Sequence, residues 1–118
     1  MQRRKIINLT AHPILFQNNE HKVYEVEPSG LVISAKPKEI ICEERDGLVI
    51  IKKEFHPVPS RDLPFFQLKS EYPNAIFVGS IVTAQAYPGD IFALIPVRGF
   101  EKVPRTKRRY RDDKFLTF

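Results

Sequence analysis

The sequence predicts a small, mainly-β single domain, a β-barrel or sandwich with at most one short helix, and three observations lead there. Apolar runs are short, rich in Ile, Val and Phe, and bounded by Pro, Gly and Asn, the pattern of strands and turns. Ten prolines spread along 118 residues argue against long helices. Helical periodicity is scarce, and no internal repeat is visible. A chain of this length fits one domain and can bury a core without disulfides.

In chain order, Lys5–Thr10 reads as a first strand, Ala11-His12-Pro13 as a turn, and Ile14–Phe16 as its extended continuation. After a polar loop at 17–20, Lys22–Glu27 alternates, with Tyr24 and Val26 on one face. Pro28-Ser29-Gly30 turns the chain into a strand over Leu31–Ala35. Asp46-Gly47, between the β-prone runs 39–45 and 48–55, predicts a hairpin, because both turn residues must accept positive φ. A two-residue loop places Cys42 opposite Ile51 and Glu43 opposite Ile50. Residues 56–74 carry four prolines and read as a long ordered loop anchored by Leu63, Phe65 and Phe66. Ala75–Val78 is a buried strand, and Ile81–Ala86 either extends it or forms a helical turn. Tyr87-Pro88-Gly89-Asp90 fits a type II turn, and Ile91–Ile95 is a last strand before Pro96.

Charge divides the chain. Residues 98–114 hold eight basic and three acidic residues, so all of the +5 net charge lies there; the remainder has eleven of each sign. This predicts a β-rich core over 1–97 and a basic-aromatic segment over 98–118, docked on the core or on a neighbouring subunit. The terminal Phe115-Leu116-Thr117-Phe118 favours docking and points to a homo-oligomer. Cys42 has no cysteine to pair with and reads as a small core residue. The opening Met1–Lys5 leads into too short an apolar run for a leader, and no run is long enough to span a membrane. The expectation is a cytoplasmic protein with no membrane partner.

The candidate chemistry is that of anion binding. Arg105, Lys107, Arg108, Arg109 and Arg111 can contact phosphates, while Phe100 and Tyr110 can stack on bases. The same segment also reads as a solvated, charged surface. Thr10 and His12 share a face on a strand, so His12 is a further ligand candidate; the plainer reading is that the pair caps the turn before Pro13. His12, His21, His56 and Cys42 match no metal-ligand spacing, and neither a phosphate-binding glycine loop nor a nucleophile elbow is present. No catalytic residue, metal or cofactor is expected.

Two stretches carry a resemblance. Ile6-Ile7-Asn8-Leu9-Thr10-Ala11-His12, followed by Pro28-Ser29-Gly30, and Phe77–Ala86, with its Gln85-Ala86, resemble a widespread family of small tailed-bacteriophage and prophage proteins. Its pattern has proline where this chain has Ala11, and the basic tail lies outside it. The resemblance implies a phage-type accessory protein in a bacterial cytoplasm. The first functional expectation is a non-enzymatic binder of an anionic nucleotide or nucleic acid, sequestering a nucleotide signal. The alternative is a module that binds and inhibits a host protein, using the basic tail and Phe65 and Phe66. The third is a small hydrolase or nuclease built from His12, His56 and Asp90.

Overall fold

The computed structural model describes residues 4–118, with backbone alone at Lys36 and Pro59; Met1–Arg3, the start of the basic opening, lie outside the described residues. The chain runs β1 (Ile6–Asn8), β2 (Ile14–Gln17), β3 (Val23–Val26), β4 (Lys36–Arg45), β5 (Leu48–His56), α1 (Pro59–Glu71), β6 (Ile76–Val78), α2 (Ile81–Ala86), β7 (Ala93–Pro96) and β8 (Arg109–Leu116). The domain is mainly β, but its sheets do not close into a barrel: β1–β6 and β4–β5 are two-stranded, and β3-β2-β8-β7 is four-stranded. β8, from the basic segment, is an interior strand, parallel to β2 and antiparallel to β7.

The short parallel pair β1–β6 separates two apolar clusters, because successive side chains of a strand point to opposite faces. Ile7 and Phe77 face one cluster, with Leu9, Ile33, Phe65, Tyr87 and Ile91. Ile6, Ile76 and Val78 face the other, with Ile14, Phe16, Tyr24, Tyr110 and Phe115. Phe65 stands edge-on to Phe77 and Tyr87, at centroid separations of 5.4 and 5.6 Å. Gly79 permits the close approach of β6 to Ile91: a Cβ there would lie 3.1 Å from the Ile91 Cγ2 methyl.

Several expectations are corrected. The proline-rich 56–74 stretch is not a loop: α1 occupies thirteen of its residues, so the described residues hold two helices rather than at most one. Pro59 takes the first helical position, where no intrahelical N–H bond is lost, and Asp62 and Lys69 complement the helix dipole at the first and last turns. The buried side holds Phe65, Leu68 and Tyr72, three and four residues apart. Residues 31–35 form no strand; Ile33 is buried through single bonds, its N–H to the Leu9 carbonyl and its own carbonyl accepting from the Thr83 hydroxyl. In the hairpin, Ile41 rather than Cys42 opposes Ile51, and the register shifts by one so that Glu43 still opposes Ile50. Cys42 is the extra residue of that bulge and is exposed, not part of the core.

The hairpin turn forms as the sequence requires, with φ of 53° at Asp46 and 77° at Gly47. β4 and β5 extend from the body as an arm: every residue from Ile41 to Lys53 is exposed. The radius of gyration is 16.6 Å, above the ~13–14 Å of a compact chain of this length, and the longest dimension is 57 Å. Among the described residues, no helix is long and apolar enough to cross a membrane.

Candidate functional site

A groove of about 780 Å³ opens where the β1–β2 turn, the β6–α2 junction and the basic loop before β8 meet. That volume falls within the range of small-ligand sites. Its apolar walls are Pro13, Ile14 and Leu15 on one side and Ile81, Val82, Leu94 and Pro96 on the other. The polar groups are Thr10, His12, Glu25, Ser80, Arg105, Thr106, Arg108 and Tyr110.

Each polar group is placed by local chemistry. Asn8 is fully buried and organises the turn that carries His12. Its Oδ1 accepts from the Thr10 N–H at 2.8 Å and from the Thr10 hydroxyl at 2.6 Å. Its Nδ2 donates to the carbonyls of His12 at 2.7 Å and Val26 at 3.2 Å. All four contacts are internal, so the turn is held rigidly and the imidazole is left exposed at the groove. Thr10 thus makes the turn-capping contacts of the plainer reading while His12 faces the groove. Ser80 begins α2, its hydroxyl accepting from the Thr83 N–H at 3.1 Å.

Arg108 donates from Nε and Nη2 to the Val103 carbonyl, at 3.3 and 3.0 Å. Those bonds orient the guanidinium and leave three of its five N–H donors for a ligand. Arg105 is exposed at the rim and forms no ion pair among the described residues. Tyr110 belongs to β8 and packs on the second apolar cluster as well as lining the groove. Glu25 is the one carboxylate among the lining residues, suited to accept from an amino or hydroxyl group. Its neighbour Glu27 has its pKa raised, first by a hydrogen bond with Glu25 and then by repulsion from it.

The expected ligand residues divide into two sets. His12, Arg105, Arg108 and Tyr110 line one groove although nearly the whole chain separates them. Arg109, Arg111, Lys107 and Phe100 do not line it. Alternation along β8 separates Arg109 and Arg111 from Tyr110. Arg109 lies over the Phe100 ring at 4.8 Å and donates to Gln17, so that ring is already covered by the chain itself. Arg111 makes a paired contact with Asp113, at 2.9 and 3.1 Å, and this bond holds its pKa above the ordinary arginine value. His56 and Asp90 lie outside the groove, Asp90 being bound to Lys69 of α1. Among the described residues no cluster of His, Cys, Asp or Glu is arranged to hold a metal ion.

Comparison of the chain with protein-family models, curated proteins and solved structures finds no match. The chemistry of the groove must therefore be read from its own residues. Asn8, Ser80 and Glu25 are not among the residues the sequence singles out, and Thr10 enters only as the partner of His12. The sequence signal for Asn8 was available, since a polar residue between Ile7 and Leu9 at the end of a buried strand needs internal partners.

Proposed function

We propose that this protein is a non-enzymatic binder of an anionic nucleotide or nucleic acid, held in the groove between His12 and the basic loop. The observation that carries this reading is the convergence of His12 with Arg105, Arg108 and Tyr110 on one apolar-walled groove of about 780 Å³. The guanidinium groups suit phosphate oxygens, and the walls suit a planar base with Tyr110 at its side. Glu25 and the hydroxyls of Thr10 and Ser80 supply directional contacts for polar edges of the ligand. The resemblance of 6–12, 28–30 and 77–86 to phage proteins supports an accessory role in a bacterial cytoplasm, with sequestration of a nucleotide signal as the action.

Native mass spectrometry of the protein purified from a bacterial host, with and without nuclease treatment, tests the reading. A retained nucleotide or oligonucleotide is the expected result and identifies the ligand. A bare protein mass that gains no nucleotide when a panel of mono-, di- and cyclic nucleotides is added overturns it.

A second reading, a module that binds and inhibits a host protein, has a different support. The exposed arm carries Ile41, Leu48, Val49 and Ile50, each more than half exposed. The anchors expected for that reading change: Phe65 is wholly buried in the core, while Phe66 is 47% exposed.

A further inference from the structure

The β4–β5 arm has two unlike faces. Residues directly opposite in the ladder share a face, so Ile41 and Ile51, Glu44 and Val49, and Glu39 and Lys53 lie on one side. That side continues at the root into Phe55, which packs on the body's core. Toward the tip it presents Ile41, Val49 and Ile51, exposed by 61, 55 and 39%. The opposite face also holds Leu48 and Ile50, exposed by 68 and 53%, but each lies across the ladder from a charged residue, Arg45 and Glu43, and that face has ion pairs of its own: Lys52 with Glu54 at 3.7 Å, His56 with Glu54 at 3.4 Å, and Arg45 with Glu43 at 3.2 Å. Among the described residues, Glu39, Glu44 and Lys53 form no ion pair. A two-stranded hairpin with an exposed apolar face is marginal by itself and is stabilised by packing against a further layer.

We propose that this face packs on the same face of a second copy of the chain, about a two-fold axis running along the arm. The charges choose that orientation. With the axis along the arm, β4 of one copy lies over β5 of the other, which stacks Ile41 on Ile51 and Glu39 on Lys53, twice each. With the axis across the arm, β4 lies over β4, and Glu44 of each copy meets Glu39 of the other; like charges facing each other are unfavourable. The lengthwise two-fold thus pairs the apolar row with itself and brings opposite charges together. No residue of the arm lines the groove.

Sedimentation equilibrium of the full chain tests the proposal. Wild type is expected near twice the monomer mass of 13.7 kDa. Ile41→Lys is expected to yield monomer, whereas Ile50→Lys, on the opposite face of the same arm, leaves the dimer; the comparison separates loss of the interface from loss of the arm. Glu39→Lys and Lys53→Glu are each expected to weaken the dimer, and an equimolar mixture of the two to restore it, because each then meets an opposite charge. A monomeric wild type overturns the proposal. So does a dimer that responds equally to Ile41→Lys and Ile50→Lys, or to neither, or that the mixed charge variants fail to restore.

Discussion

Asn8 Nδ2 donates to the His12 carbonyl at 2.7 Å, so the imidazole-bearing turn of the groove hangs from a side chain with no exposure to solvent. The bond links the core to the site. β1 ends in the interior, and the chain's next polar residues are held there by Asn8 rather than by a sheet ladder. Any change in Asn8 therefore acts on stability and on the position of His12 together.

Asn8→Asp removes both Nδ2 donors and turns an ionised oxygen toward the carbonyls of His12 and Val26. A loss of about 3 kcal/mol or more is expected, since a buried charge left among acceptors costs more than one lost hydrogen bond. Urea unfolding measures it, and the His12 amide shift reports the turn. A change below about 1 kcal/mol would mean that solvent reaches Asn8 and that the turn is not held as described.

Arg105→Ala is expected to weaken binding of a fluorescent nucleoside triphosphate about 10- to 100-fold, the loss of a charge-assisted contact of about 1.5–3 kcal/mol. Arg109→Ala removes a guanidinium that is engaged by Phe100 and Gln17, and leaves the affinity unchanged. Titration by fluorescence anisotropy at fixed salt measures both. Equal losses for the two variants would assign binding to the diffuse charge of the segment instead of to the groove.

Phe65 and Phe66 are adjacent in α1 but lie on different sides of it. Phe65→Ala is expected to cost about 3–5 kcal/mol, as deletion of a fully buried aromatic leaves a cavity between Phe77 and Tyr87. Phe66→Ala is expected to cost less than about 1.5 kcal/mol, because its ring is 47% exposed and meets Phe65 only at a tilted contact of 5.4 Å. Thermal unfolding of the two variants distinguishes a helix with one buried side from a loop using both rings as anchors.

Tyr87 is 4% exposed and donates its hydroxyl to Asp62 at 2.6 Å. Burial first, and then that bond, pushes its pKa up from 10.0 to about 12. Between these values the unfolded chain has lost the phenolic proton while the folded chain keeps it, so stability falls as pH rises. The contribution is fully present below pH 10.0, declines through about pH 12, and is on the order of 2 kcal/mol. Tyr87→Phe is expected to flatten this part of the stability profile while losing about 1 kcal/mol at neutral pH from the missing hydrogen bond. Urea midpoints at a series of alkaline pH values measure the slope, and an unaltered slope in Tyr87→Phe would place the titration elsewhere.

The legible parts of this chain were those governed by neighbours in sequence. The Tyr87–Asp90 turn formed where Pro88 and Gly89 supply the needed backbone, Gly89 at φ 79° and the Asp90 N–H bonded to the Tyr87 carbonyl at 3.1 Å. The prolines of 56–74 point to a loop, yet Pro59 takes the first helical position at no cost in hydrogen bonds and α1 carries Pro64 in its interior, where packing of the buried side outweighs one missing bond. The spacing of Phe65, Leu68 and Tyr72 is the helical signal that the prolines masked. The basic-aromatic segment was read as one surface, but its strand alternation divides it, sending Tyr110 to the groove and Arg109 and Arg111 away from it.

By itself the sequence determined the mainly-β character, the Asp46-Gly47 hairpin and the placing of all net charge near the C-terminal end, because these depend on local backbone preference and composition. Only the tertiary structure decided that β8 enters the sheet between β2 and β7, and that this brings Arg105, Arg108 and Tyr110 beside His12. It likewise decided that Cys42 bulges into solvent and that the arm leaves apolar side chains exposed on both faces, with Ile41 and Ile51 directly paired on one of them. The physical reason is that non-local strand pairing and burial are set by which surfaces fit together, and no window of neighbouring residues contains that information.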